Sequence, residues 1–179
     1  MICSFDYATE PLGTLTVASD DEGLVGLWLD GQKYFGSRMA DELGRADASP
    51  ILDEARRWLD RYFAGERPDP SELPLAPRGT DFQKRVWREL AAIPYGELTT
   101  YGAIAKRLEA ETGKRASARA VGVAVGHNPI SIILPCHRVV GSTGSLTGYA
   151  GGIERKLWLL NHEGVDTTRL SVPTRGTAL

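Results

Sequence analysis

Apolar and polar positions alternate through the first thirty residues, then switch to a helical period. Thr14–Ala18 and Leu24–Leu29 have the two-residue rhythm and β-branched content of strands, and they flank an Asp20-Asp21-Glu22-Gly23 turn. Met1–Tyr7 alternates enough to join them. From Ser49 the spacing changes: Ile51, Leu52, Ala55, Leu59 and Phe63 recur as on one helix face, with Ser49 as N-cap and Pro50 at the first helical position. Gly65 is a stop signal. Glu66 to Arg78 holds Pro68, Pro70, Pro74 and Pro77, which exclude regular helix and central strand. This stretch is expected to link two domains.

The second half is helical in rhythm. Thr80 and Gln83 have capping-box spacing, and Phe82, Val86, Leu90 and Ile93 form a stripe with Trp87 beside it. Pro94-Tyr95-Gly96 ends that helix. A short helix is predicted over Tyr101–Leu108, a polar turn over Glu109–Ala116, and another helix, capped by Ser117, over Ala118–Gly126. Two short helices joined by a turn suggest a helix-turn-helix. Ile130–Leu134 reads as a buried extended run. The loop from Gly141 to Gly152 contains five glycines, and a last helix over Ile153–Glu163 stops at Gly164. The tail from Val165 is expected to be poorly ordered. These elements predict a mixed α/β chain of the α+β kind, with an N-terminal domain over 1–78, a mostly helical one over 79–165 and a tail over 166–179.

Composition adds compartment and charge. With 42% apolar and 25% charged residues, the chain of 179 residues matches a globular protein able to bury a core unaided. It has neither a membrane-length apolar run nor a signal-like start, so a cytoplasmic location is expected. Cys3 and Cys136 are too few for a disulfide framework, and the three histidines lack zinc-site spacing, so no metal is expected. The net charge of −2 conceals an asymmetry: residues 1–78 carry eight basic and fifteen acidic side chains, residues 79–179 thirteen and eight. A net +5 in the second half fits a polyanionic partner.

Three features carry chemistry. The helix after Ser117 is built of Ala118, Ala120, Gly122, Ala124 and Gly126, with Arg119 its one long polar side chain. Such a helix either packs tightly in its own core or approaches a DNA groove closely, through shape and phosphate contacts instead of base readout. Cys136 follows the apolar run and precedes His137 and Arg138. It is either a small core residue or a nucleophile whose neighbours favour thiolate. Glu163 lies on the face of Ile153, Leu157 and Leu160, so it is either a solvated helix end or the partner of a buried histidine.

The run Leu134-Pro135-Cys136-His137-Arg138-Val139-Val140 resembles the active-site signature of the O6-alkylguanine-DNA alkyltransferases. The resemblance extends through Ile93-Pro94-Tyr95-Gly96, Arg119-Ala120-Val121-Gly122, Gly126-His127-Asn128-Pro129-Ile130, Thr147-Gly148-Tyr149 and His162-Glu163-Gly164, in the family's order over residues 79–165. Residues 1–78 match in general character only. The resemblance implies an RNase H-like N-terminal domain, here a three-stranded antiparallel sheet plus helix, and a winged-helix-like C-terminal domain. It implies that Cys136 accepts the alkyl group, that His137 takes its proton through a water, and that Glu163 orients His137. Asn128 would fix the recognition helix to the active-site segment. Tyr101 would help rotate the nucleotide and donate to the base, and Arg119 would fill the gap in the duplex. Tyr149 would wall the alkyl pocket, with backbone near Cys136, Val139 and Ala150 holding the guanine edge. Ala120, Arg138 and Gly151 complete the DNA- and base-contacting positions. Ala150 stands where other members have serine. The cysteines and histidines of the zinc site that some members carry are missing.

The implied function is repair by direct reversal, without a cofactor: one irreversible transfer from O6-alkylguanine to Cys136. O4-alkylthymine is a second candidate substrate. The expected partner is double-stranded DNA containing alkylated bases, met by a monomer, with cooperative binding along DNA left open and no membrane contact. Two alternatives compete. A plain helix-turn-helix DNA-binding protein gives Cys136-His137 no purpose, and a cysteine hydrolase using Cys136, His137 and Glu163 ignores the small-residue helix and Arg119.

Overall fold

The computed structural model describes residues 2–36, 39, 43–45 and 49–173. The chain divides into two compact units, one formed by residues 1–78 with 129–133, the other by 79–128 with 134–179.

The first unit is a sheet with one helix. Strands β1 (Ile2–Thr9), β2 (Gly13–Ser19) and β3 (Leu24–Leu29) form the expected antiparallel meander, in register from Cys3↔Ser19 to Thr9↔Gly13 and from Leu15↔Leu29 inward. The expected sheet of three strands is corrected to four. β4 (Leu43–Arg45) pairs parallel to β1, giving the order β3-β2-β1-β4. Three residues are too few to show a period, so this strand had no local signal. All six residues of β3 are buried. Gly26 is needed there, because a Cβ would lie 1.9 Å from the Trp28 ring.

Helix α1 (Pro50–Phe63) starts as expected, Ser49 Oγ accepting from Leu52 N. Its buried face is Leu52, Ala55, Trp58, Leu59 and Tyr62, rotated from the predicted stripe. Phe63 sits at the rim and stacks on Tyr7 at 5.9 Å.

The proline-rich segment is more than a connector. Asp69 caps a 3-10 turn over Pro70–Glu72, and Trp58 Nε1 donates to the Asp69 carbonyl at 3.0 Å. Along the edge of β3, Leu24 N donates to the Pro74 carbonyl at 2.7 Å while Ala76 N donates to the Leu24 carbonyl at 2.8 Å. Pro129–Ile133 also lies on β3: Leu27 N donates to the Pro129 carbonyl and Ser131 N to the Leu27 carbonyl, both at 2.9 Å. The expected extended run over Ile130–Leu134 is corrected here. Only Ile130 makes a strand-like bridge, and Ile132 turns the chain at φ +70°. Apolar β-branched residues fill a buried turn as well as a strand, so periodicity could not separate the two.

The second unit holds α2 (Asp81–Ala91), α3 (Tyr101–Thr112), α4 (Ala118–Gly126) and α5 (Ile153–His162), with a parallel two-residue ladder between β5 (Thr99–Thr100) and β6 (Val139–Val140). Capping starts the helices. The Thr80–Gln83 box closes at 3.0 and 3.2 Å, Thr100 caps α3, and Ser117 Oγ accepts from Ala120 N at 3.1 Å. α3 runs one turn beyond the predicted Leu108 and ends where Gly113 takes φ +66°. Its last turn is held by Arg85 to Glu111 at 3.1 Å. Phe82 departs from the predicted stripe and is 37% exposed, while Val86, Trp87 and Leu90 are buried.

The tail is corrected as well. Leu146 N donates to the Ser171 carbonyl and Ser171 N to the Gly144 carbonyl, and Leu170 packs against Val140, Leu146 and Leu160. The rest of the expected tail, residues 174–179, lies outside the described residues. Among the described residues no helix is long and apolar enough to cross a membrane.

Candidate active site

Cys136 opens a 3-10 turn, Cys136–Arg138, after Pro135. Its N–H donates to the Leu134 carbonyl at 2.8 Å, and the buried Asn128 amide donates to the same carbonyl at 2.7 Å. The Asn128 side chain also bonds the Cys136 sulfur. The end of α4 is thereby tied to the nucleophile's turn. β6 follows immediately and pairs with β5, which leads straight into α3. Tyr101, the first residue of α3, donates its hydroxyl to the Thr147 carbonyl at 2.7 Å.

Glu163 caps the end of α5 and is 4% exposed, so it is no solvated helix end. His137 Nε2 lies 2.6 Å from Glu163 Oε1. Arg138 donates through Nε at 2.7 Å and Nη2 at 3.0 Å to the same carboxylate, and through Nη1 to the Ile93 carbonyl at 2.6 Å. The Gly96 amide adds a bond at 3.3 Å. Burial would raise the Glu163 carboxyl, but the hydrogen bonds and charges of His137 and Arg138 prevail and hold it well below the usual carboxylate range.

That arrangement sets the histidine's state. Burial lowers His137 below its ordinary 6.5, and the cations Arg138 and Lys156 act the same way against the pull of Glu163. Arg138 already neutralises the carboxylate, so the resting imidazole is neutral. Its Nε2–H donates to Glu163, which leaves Nδ1 as a bare lone pair. Nδ1 is buried and has no partner among the described residues. Cys136 is 6% exposed; burial pushes its thiol up, against the Asn128 bond and the charge of Lys156. The resting pair is therefore thiol and neutral imidazole, with a proton acceptor waiting. A nucleophile, a base and a carboxylate that orients the base form the constellation of nucleophilic catalysis.

Cys136, His137, Glu163, Asn128, Tyr101, Arg138 and Val139 come together as a cluster. The expected DNA or base contact of Arg138 is corrected: the side chain is buried, and its guanidinium is taken up by Glu163 and Ile93. Adjacency to a cysteine does not reveal which way a side chain turns. Tyr149, Ala150 and Gly151 lie half-buried in the loop before α5. The Tyr149 ring presses on Gly151, where a Cβ would meet it at 2.7 Å, and its buried hydroxyl lacks a partner among the described residues. Arg119 and Ala120 stand outside the cluster, on the exposed face of α4 with Val123. The opposite face of α4, with Val121, Gly122, Ala124 and Val125, is buried, and Trp87 Nε1 donates to the Ala124 carbonyl at 2.9 Å. The small residues thus serve internal packing on one side and leave a smooth surface on the other. Beside that surface runs an open groove lined by Thr80, Phe82, Gln83, Arg119 and Val123.

Lys156 escaped sequence reasoning. It is wholly buried beside the site, although it follows Ile153 by three residues and precedes Leu160 by four, which places it on the apolar stripe.

The chain is similar to known proteins over most of its length. Residues 81–165 match the family described as 6-O-methylguanine DNA methyltransferase, DNA binding domain, and residues 5–77 match its ribonuclease-like domain. The chain is 47% identical over 158 residues to the methylated-DNA–protein-cysteine methyltransferase of Mycolicibacterium paratuberculosis, covering 87% of this chain and 90% of that one. It is 45% identical to the protein of the same name from Methanosarcina acetivorans, over 86% and 94% of the two chains. The crystal structure of Mycobacterium tuberculosis OGT in complex with DNA superposes with a TM-score of 0.78 at 43% identity over 94% of each chain. A cysteine turn backed by histidine and glutamate, in a fold and sequence shared over nearly the whole chain, leaves one conclusion: the protein belongs to the methylated-DNA–protein-cysteine methyltransferase family.

Proposed function

We propose that this protein repairs alkylated DNA by taking the alkyl group of O6-alkylguanine onto Cys136, once per molecule. The observation that carries this reading is the buried His137, bound through Nε2 to Glu163 and open at Nδ1, next to the Cys136 thiol. The target carbon lies inside the stacked duplex, so the nucleotide must turn out. The outward face of α4, with Ala120 and Arg119, meets the DNA, and Arg119 occupies the gap. Tyr149, Ala150, Gly151 and the Val139 backbone receive the base. The Cys136 proton passes through a water to His137 Nδ1. The sulfur then forms a bond to the alkyl carbon as the bond from carbon to O6 breaks, and the Tyr101 hydroxyl donates toward the guanine that leaves. A thioether remains, which is not a leaving group at neutral pH. The protein acts as a monomer on double-stranded DNA in the cytoplasm. O4-alkylthymine presents the same kind of oxygen-bound alkyl carbon and is a second candidate substrate.

The test is mass spectrometry after mixing with a duplex that contains O6-methylguanine. One methyl group is expected on the Cys136 peptide, with repair stopping at one equivalent. Several turnovers per molecule, or label on Cys3, would refute the assignment. A second measurement isolates the extrusion step. Arg119→Ala is expected to slow repair of duplex DNA about tenfold, equivalent to about 1.4 kcal/mol of barrier. Reaction with free O6-benzylguanine, which needs no extrusion, should change little. Equal losses on both substrates would count against the finger role.

A further inference from the structure

The proposed chemistry uses Cys136, His137, Glu163 and Tyr101 and leaves one buried charge unexplained. Lys156 is 0% exposed. Lysine is almost never enclosed without a partner of opposite charge. The nearby buried carboxylate, Glu163, is engaged by His137 and Arg138 instead. Lys156 Nζ donates to two neutral acceptors, the Val139 carbonyl at 2.5 Å and the Thr147 carbonyl at 3.2 Å. An ammonium has three N–H donors, so one remains. Val139 directly follows the cysteine turn. Thr147 begins the segment that leads to Tyr149, and its carbonyl also receives the Tyr101 hydroxyl. Lys156 thus clips together two backbone segments at the site.

Charge balance shows what the ammonium is for. With thiol and neutral imidazole, the buried groups are Arg138 and Lys156 against Glu163, an excess of one positive charge. Moving the thiol proton to His137 keeps the total constant, and places the thiolate among cations. Cys136 and Lys156 also act on each other. Burial brings Lys156 down from 10.5 to about 8 with Cys136 opposing, and Lys156 draws the thiol down against burial. The other charged or ionisable groups around the site are His137 and Arg138 on the turn, Arg155 on α5 and Glu163 at its end, Tyr101 on α3 and Tyr149 on the loop.

We infer that Lys156 is a positioning residue for the transfer: clipped to the Val139 and Thr147 carbonyls, its ammonium is the counter-charge of the Cys136 thiolate. This rests on the reading of Cys136 as the alkyl acceptor. When the sulfur becomes a neutral thioether it can no longer ionise beside Lys156, which should then hold its proton less tightly.

The test follows the pH dependence of Cys136 alkylation by iodoacetamide, read on the Cys136 peptide so that Cys3 does not contribute, alongside transfer from O6-benzylguanine. Lys156→Gln keeps a donor for the carbonyls and removes the charge. It is expected to raise the thiol midpoint by about one unit, slowing both reactions about tenfold at neutral pH, with convergence on wild type in alkali. Lys156→Arg, which keeps the charge, should fall nearer wild type. An unchanged midpoint in folded Lys156→Gln would overturn the inference. A wild-type measurement stands beside it in case the variant fails to fold. The Lys156 amine, followed by NMR, should titrate at lower pH after Cys136 is alkylated, and an unmoved midpoint would likewise overturn the inference. Iodoacetamide needs no alkylguanine. If wild type refuses the benzyl group while the iodoacetamide midpoint shifts as expected, the repair reading fails and the Lys156 pairing stands.

Discussion

Cys136→Ser is expected to abolish alkyl transfer while the fold and DNA binding survive. The attacking species is the thiolate, and a serine hydroxyl in the same place remains protonated at any pH the protein tolerates. Removing a nucleophile from a site of this kind costs on the order of 10^4-fold or more in rate. The structural cost is small. Serine is nearly isosteric with cysteine, and its hydroxyl can take the Asn128 bond that the sulfur now holds. A loss of about 1 kcal/mol or less is expected in denaturant unfolding. Binding should persist because Arg119 and Ala120 lie on the outward face of α4, not at the cysteine turn. The check is single-turnover transfer, DNA binding and unfolding on one preparation. Transfer near the wild-type rate would refute Cys136 as acceptor, and lost binding would refute the division between the two surfaces.

Glu163→Gln should damage both stability and rate. The substitution removes the carboxylate that answers Arg138 and orients His137, and leaves a guanidinium buried without its counter-charge. Breaking a buried ion pair from one side costs about 3–5 kcal/mol. The pH dependence has a definite sign. The Glu163 carboxyl is depressed in the folded protein, so its contribution is fully present above the ordinary value of 4.5 and drains away as the pH falls below it. His137 is depressed too, and a histidine held neutral by folding adds a further loss as the pH falls below 6.5. Wild type should therefore weaken in acid in two stages, and Glu163→Gln should lack the lower one. In the transfer reaction, glutamine cannot stabilise the imidazolium that forms as the thiol ionises. The variant should be slow at neutral pH and close the gap as alkali ionises the thiol unaided. Superimposable pH–rate curves from folded proteins would remove Glu163 from the proton relay.

Features that depend on a few neighbouring residues could be read from the sequence. The caps at Ser49, Thr80 and Ser117 are of this kind, because each bond closes within three residues. The Cys136-His137 pair is adjacent in the chain, and Glu163 could be placed by the apolar stripe it extends. What escaped depends on distant partners. β4 exists because β1 offers an edge, and the carbonyl of Pro74 matters because Leu24 needs an acceptor. Ile132 has a sequence suited to a strand and a backbone conformation that no composition announces. Arg138 and Lys156 show the same limit at the site. Both are cations whose enclosure follows from what surrounds them in space. The family resemblance points Arg138 toward DNA, and the only local sign that Lys156 is enclosed is its place on the apolar stripe with Ile153 and Leu160.

The pairing of Ser171 with Gly144 and Leu146 has a consequence in the time domain. Amides in a fraying terminus exchange with solvent almost at once, whereas amides in a ladder exchange only when the local structure opens. The N–H groups of Leu146 and Ser171 each donate across this pairing. They should gain and lose their protection together. A deuterium label placed there would time the opening of the chain just ahead of Thr147 and Tyr149, and so show how often that side of the pocket comes loose.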